Sequence, residues 1–215
     1  MFGLFKRDGA KPSLTDVCFD TTGFEAHGEL DQGKVRVWCT PEGDRLGAYF
    51  FVEPPDLPAD AGSVDELAEY YRRLLGDSGA SLVEVSVVLA GGCPAIRTIL
   101  SVPQQPSGRI YFGYLTLPFR DFSFIINCKC AENGQADFKE ALLVDRSRAA
   151  NEPVQIEGEE FDIPGWNRND PQHDAEYAHH PVARARRLLD HVAGTLILAD
   201  DVRQLPGFAL PRNGT

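Results

Sequence analysis

Several groups of side chains in this 215-residue sequence are able to do chemistry. Cys128 and Cys130 form a C-x-C pair. In a strand both thiols lie on one side, where free cysteine behaves as a small hydrophobe. Cys93 follows two glycines at a tight turn that could expose it, but no His or Asp stands beside it in sequence to take its proton. His173, Asp174, Glu176, His179 and His180 supply metal-type ligands without the H-E-x-x-H or C-x-x-C spacing that marks zinc sites. The carboxylates Glu152, Glu157, Glu159, Glu160 and Asp162 lack the Asp-x-Asp-x-Asp-Gly grammar of a calcium loop and read as a solvated edge. Arg184, Arg186 and Arg187 fall in the first half of a predicted helix, where the macrodipole disfavours cations. Something acidic must offset them, and the acidic stretch just upstream favours an internal charge zipper over phosphate binding. The sequence contains no G-x-G-x-x-G, no complete G-x-x-x-x-G-K-S/T, no G-x-S-x-G and no S-x-x-K motif. Sites assembled from distant residues leave no local trace of that kind.

The elements that would position these residues are easier to read. SVDELAEYYRRLLG opens with Ser63 and Glu66 in capping-box spacing, carries Leu67, Tyr70, Tyr71, Leu74 and Leu75 at helical period, and closes on Gly76. LVEVSVVL, AIRTILSV, RIYFGYLTL and FSFIINCKC follow, separated by turn sequences, and predict four consecutive antiparallel strands. Upstream, VCF, KVRVWCT and LGAYFFV predict three more strands, the last two joined by a PEGDR turn. DFKEALLV, with Asp137 and Glu140 spaced for a capping box, predicts a short helix. Pro181 and the stripe Val182, Ala185, Leu189, Val192 and Leu196 predict a final amphipathic helix, followed by a turn at DDVRQL.

The domain plan is a tail over 1–14, a core over 15–146, an irregular acidic and aromatic excursion over 147–180 and a C-terminal helix and tail over 181–215. The fold class is α+β, an antiparallel sheet flanked by helices. The expected core contains Leu67, Leu74, Val85, Val87, Ile99, Phe112, Phe124 and Ile126, because alternation along the strands puts Phe124, Ile126, Cys128 and Cys130 on one side.

Composition narrows the function. With 43% hydrophobic and 25% charged residues the chain folds, and a net charge of −11 opposes non-specific attraction to nucleic acid or anionic lipid. Partners with basic surfaces are favoured instead. Five scattered cysteines, in a chain long enough to build its own core, suggest reduced thiols and a cytoplasmic protein. No apolar run approaches the roughly 18 residues of a membrane span. Sixteen Arg against five Lys hint at a GC-rich bacterial genome.

From about Gly47 to Arg146, the element order, the helix SVDELAEYYRRLL and the strand–turn–strand VEVSVVLAGGCPAIRTILSV resemble the PsbP-like family. That family includes an extrinsic photosystem II subunit, a Ran-binding nuclear import protein and bacterial DcrB-type proteins. The Gly91-Gly92-Cys93 turn and the C-terminal excursion depart from its pattern. The resemblance implies a three-layer helix–sheet–helix sandwich serving as a non-enzymatic binding scaffold, some bacterial members being similar to chaperones of membrane-active secretion effectors. It offers no catalytic residue and no cofactor to carry over.

Two functions follow. The first is a binding protein that recognises another protein, an adaptor, effector chaperone or immunity-type partner, through Phe161, Trp166, Tyr177, Arg184 and Arg187. The aromatics and charges of such a surface are those on which protein interfaces depend. Within it, Phe161 and Trp166 could equally plug the sheet as a structural strap. The alternative is a small hydrolase or metal-dependent enzyme using Cys93 or the His173–His180 cluster.

Overall fold

The structure, a computed structural model, describes residues 11–30, 33–57, 63–105, 108–132, 155–157, 160–162 and 169–208. Its centre is a seven-stranded, wholly antiparallel sheet built from β2 (Glu25–Leu30), β3 (Val35–Cys39), β4 (Arg45–Phe51), β5 (Ser81–Ala90), β6 (Cys93–Pro103), β7 (Arg109–Pro118) and β8 (Ser123–Ala131), in the order β2-β3-β4-β8-β7-β6-β5. Helix α1 (Val64–Leu75) packs on one face and helix α2 (Pro181–Thr195) on the other. The protein is therefore α+β, with helices on both sides of an antiparallel sheet.

The four strands β5 to β8 form as their sequences predict. Gly91 and Gly92 turn β5 into β6 with φ of +59° and +82°, the positive values a two-residue hairpin of type I′ demands. The α2 face carries the main core. It collects Leu46, Ala48, Ile99, Tyr111, Leu115, Phe124, Ile126, Cys128 and Cys130 from the sheet and Val182, Ala185, Leu189 and Val192 from the helix. The predicted stripe of α2 is buried along its whole length. Gly113 lets the helix approach: a Cβ there would stand 2.7 Å from Cys128 Sγ and 2.9 Å from Leu189 Cδ1. Near the β7–β8 hairpin, Phe50, Phe119, Phe122 and Phe124 pack together, with Phe119 and Phe122 stacked 4.5 Å apart.

The α1 face is covered less fully. There Leu57, Leu67 and Ile96 form a small buried cluster with Tyr71, Val85 and Phe208 against it. Farther across, Tyr49 and Phe51 stack with centroids 6.4 Å apart, and Phe51 is 46% exposed. Gly47 leaves the room in which the Tyr49 ring lies, since a Cβ would meet its hydroxyl at 2.8 Å and Asn127 Oδ1 at 2.9 Å.

Several expectations need correction. Leu67, Ile99, Phe124 and Ile126 are fully buried, but Val85 and Phe112 are only partly covered. Leu74 is 65% exposed although it lies one heptad from buried Leu67, because it falls in the last turn of α1, beyond the buried Leu67, Ala68 and Tyr71. Val87 is 36% exposed because it lies on β5, the edge strand. Ser63 is the N-cap of α1 but makes no side-chain capping bond. The VCF strand, β1 (Val17–Cys18), pairs with β11 (Ile197–Leu198) after α2 and not with the main sheet. EAHGEL forms β2, which its glycine and charges conceal from propensity, because β3 supplies a partner. The excursion contains a hairpin, β9 (Gln155–Glu157) with β10 (Glu160–Asp162). Each of these strands places one apolar residue between two polar ones, a period of two too short to stand out. DDVRQL begins with a single helical turn, α3 (Asp200–Arg203). The predicted helix at DFKEALLV lies outside the described residues.

Candidate functional site

The three arginines of α2 take different partners. Arg184 is buried and grips Asp44 with both sides of its guanidinium, Nε to Oδ2 at 2.8 Å and Nη2 to Oδ1 at 2.9 Å. Nη2 also donates to the Ala131 carbonyl at 2.8 Å, and Nη1 donates to the His179 carbonyl. Burial works against the Arg184 charge, but its bonds to Asp44 more than offset this and hold its pKa above the usual value. Arg186, also buried, donates to Glu84 and Asp174 at 2.8 Å each and to the Asn169 carbonyl at 2.5 Å. Exposed Arg187 donates to the Ala178 carbonyl at 2.5 Å. Each arginine thus holds one main-chain carbonyl of residues 169–179. Together they fasten that segment along α2. The zipper exists, with Asp174 from the upstream stretch, Asp44 from the β3–β4 turn and Glu84 from β5.

Asp44 owes its position to the β3–β4 turn. Gly43 has φ of +84°, and Asp44 N donates to Thr40 Oγ1 at 3.2 Å, which turns the Asp44 carboxylate inward. His180 caps α2: its Nδ1 accepts from Val182 N at 3.3 Å. Nδ1 is thus unprotonated, and Nε2 lies 3.8 Å from Glu132 Oε1. The His180 ring meets Tyr111 edge-on at 5.4 Å.

The remaining metal-type ligands diverge. His173 packs edge-on against Tyr177, Asp174 belongs to Arg186, and the His179 side chain is exposed. Among the described residues no three such groups converge as a metal site. Cys93 sits at the hairpin turn as expected, its Sγ 4.0 Å from the Arg203 carbonyl. Burial pushes its thiol pKa up, with Arg203 pulling the other way, so the thiol is not activated. All five cysteines are free, and Cys128 and Cys130 are buried beneath α2. Phe161 lies in β10 opposite Ile156, and Trp166 is outside the described residues.

Beside the arginines is a cleft of about 320 Å³ lined by Thr22, Gly23, Phe24, Pro41, Glu42, Asp44, Arg184, Arg187, Leu188 and His191. Phe24, Pro41 and Leu188 make it apolar, while exposed Glu42 and Arg187 give it opposite charges. His191 Nε2 donates to the Asp20 carbonyl at 2.7 Å and its ring meets Phe24 edge-on at 5.7 Å, fixing the 20–24 turn against the helix. Of the site residues expected from the sequence, the cleft includes Arg184 and Arg187. Phe24, Glu42, Leu188 and His191 went unseen. Arg184, Arg187, Leu188, His191 and Thr195 recur at helical spacing, a second and more polar stripe that the sequence does display.

No family model matches the sequence, and no curated protein matches it significantly. Solved structures similar to it include the Saccharomyces cerevisiae Ran-binding protein Mog1p, at 10% identity, covering 89% of this chain and 96% of that one with a TM-score of 0.48. A point mutant of Mog1 is 11% identical over 91% and 98% of the two chains, at a TM-score of 0.45. LpqN, involved in cell envelope biogenesis of Mycobacterium tuberculosis, is 15% identical over 65% and 76%, at 0.25. Among the described residues no helix is long and apolar enough to cross a membrane.

Proposed function

We propose that the protein is a non-enzymatic binding module of the bacterial cytoplasm that recognises a segment of another protein in the cleft beside α2. The observation that carries this reading is the make-up of the cleft. Phe24, Pro41 and Leu188 offer an apolar seat, Glu42 and Arg187 flank it with opposite charges, and Asp44, Arg184 and His191 already have internal partners. Such a site can orient a peptide, and its titratable groups are held for structure and not for proton transfer. The net charge of −11 favours a partner with a basic surface, whose cation would meet Glu42 while an apolar neighbour enters between Phe24 and Leu188. An adaptor, a chaperone of a basic, membrane-active effector and an immunity-type partner all fit this chemistry.

The test is capture from the native organism with wild-type protein and with Glu42→Lys and Arg187→Glu. A partner retained by wild type and lost from both variants, with the melting temperature of Glu42→Lys unchanged, is the expected result. Equal capture by all three proteins would exclude the cleft. Trp166→Ala extends the test to the excursion: loss of capture with the melting temperature kept would add it to the partner surface, and a lowered melting temperature would make it a strap.

A further inference from the structure

The two edges of the seven-stranded sheet are defended differently. β2, at one edge, is six residues long, bears Glu25 and His27, and is broken by a bulge at Gly28, whose φ is +100°. Short length, charge and a bulge are the means by which sheets prevent further pairing. β5, at the other edge, is ten residues long and irregular only between Leu82 and Glu84. Among the described residues it is paired on one side only, by β6. Its single charged residue, Glu84, is neutralised by Arg97 at 3.1 Å and Arg186 at 2.8 Å. Val87 and Leu89 stand out from the strand, 36% and 72% exposed.

We propose that β5 is a self-association site, along which a second copy of this chain pairs antiparallel and continues the sheet across a two-fold axis. Ala90 and Cys93 flank the two-residue turn and so bond to one another. Alternation then directs the main-chain N–H and C=O of Leu89, Val87 and Val85 outward, away from β6. A pairing centred on Val87 sets Val87 against the partner's Val87 and Val85 against the partner's Leu89, and each pair exchanges both main-chain bonds. The apolar side chains that are exposed in one copy then cover one another. In the same register Glu84 falls opposite the partner's Ala90, so no like charges oppose each other in the ladder. A strand that is self-complementary in hydrogen bonding, apolar contact and charge fits the two-fold symmetry of most homodimers.

The experiment is sedimentation of the full chain across micromolar to millimolar concentrations, with Val87→Lys and Leu89→Lys alongside. Wild-type mass should double with concentration, and both variants should stay at monomer mass with circular dichroism and melting temperature kept. Association should strengthen with salt, since two chains of charge −11 repel one another and the ladder contains no ion pair. A wild-type protein that stays monomeric, or a dimer unaffected by both lysines or dissolved by salt, would overturn the proposal. The register has its own test in a Cys18→Ser background: oxidation should cross-link Val87→Cys to itself but not Ser86→Cys. The reverse pattern would refute pairing centred on Val87.

Discussion

One sheet presents two faces that are closed by different means. Under α2 the strands contribute side chains that are almost all fully buried, and charged groups there are ion-paired, Asp44 with Arg184 and Glu84 with Arg97 and Arg186. Under α1 the buried cluster is small, and Tyr49, Phe112 and Tyr114 are only partly covered. The length of the covering helix is not the cause, since α1 has 12 residues and α2 has 15. The difference lies in what faces each helix. Gly113 lets α2 descend until Leu189 touches the sheet, and the arginines bind its N-terminal half to four separate segments of chain. Helix α1 lies against β5 at the edge of the sheet. One face is thus a core, and the other has aromatic surface to spare.

The largest effects should separate the faces. Phe124→Ala, on the closed face among three other phenylalanines, should cost about 3–5 kcal/mol in urea unfolding. Arg184→Ala should cost about 3–5 kcal/mol as well, because it leaves Asp44 charged and buried without a partner. Arg184→Met combined with Asp44→Leu should recover much of that loss, since the stranded charge is removed with its partner. If each single change costs under about 1 kcal/mol, the closed face is not a core.

The glycines of the two faces make an intermediate comparison. Gly113→Ala drives a Cβ into Cys128 and Leu189, both held in the packed interior, and should cost about 1–3 kcal/mol. Gly47→Ala meets the far end of Tyr49, which can swing toward solvent, so it should cost less and appear as increased exposure of a tyrosine by absorbance. Equal costs would mean that the α1 face is packed as tightly as the other.

Alkaline pH should affect both faces in sequence. Hydrogen bonding with Cys128, then burial, pushes the Cys130 thiol far up, and burial raises Tyr71 and Tyr114 on the α1 side. These groups stay neutral in the folded protein where the unfolded chain ionises them. Their stabilisation is therefore complete below the unfolded values of 9.0 for the thiol and 10.0 for the phenols, and is lost as pH rises beyond each. Unfolding free energy should fall from about pH 9 upward. Cys130→Ala should make that fall shallower from about pH 9, leaving the Cys93 and tyrosine parts.

How much of this was legible in the sequence follows the same division. Regular alternation and helical period identify β5 to β8, α1 and the buried stripe of α2, because one-sided burial imposes the pattern. They do not identify β2, whose residues pair only because β3 lies beside them, or the partner of β1, which closes onto β11 from the far end of the chain. The RARR cluster announces that α2 needs anions, but Asp44 lies 140 residues away in a turn and Glu84 102 residues away in a strand. Phe24 and His191 form one wall of the cleft for the same reason, through tertiary contact between distant residues that separately look ordinary.

The smallest expected effect lies at the end of α1. Leu74 has helical spacing from Leu67 and Tyr71 and so appears to belong to the inward side of α1, yet it is 65% exposed. Twelve residues make little more than three turns, and Leu74 falls in the last of them, after the buried Leu67, Ala68 and Tyr71. Leu74→Ala removes little buried surface, and alanine is the better helix former, so stability should change by less than about 0.5 kcal/mol in either direction. Leu67→Ala, one full heptad earlier and completely buried, should cost about 2–5 kcal/mol. Chemical unfolding of the two variants side by side measures how far α1 is committed to the sheet. A comparable loss for Leu74 would place that side chain against something, and the α1 face would be more closed than its exposed aromatics indicate.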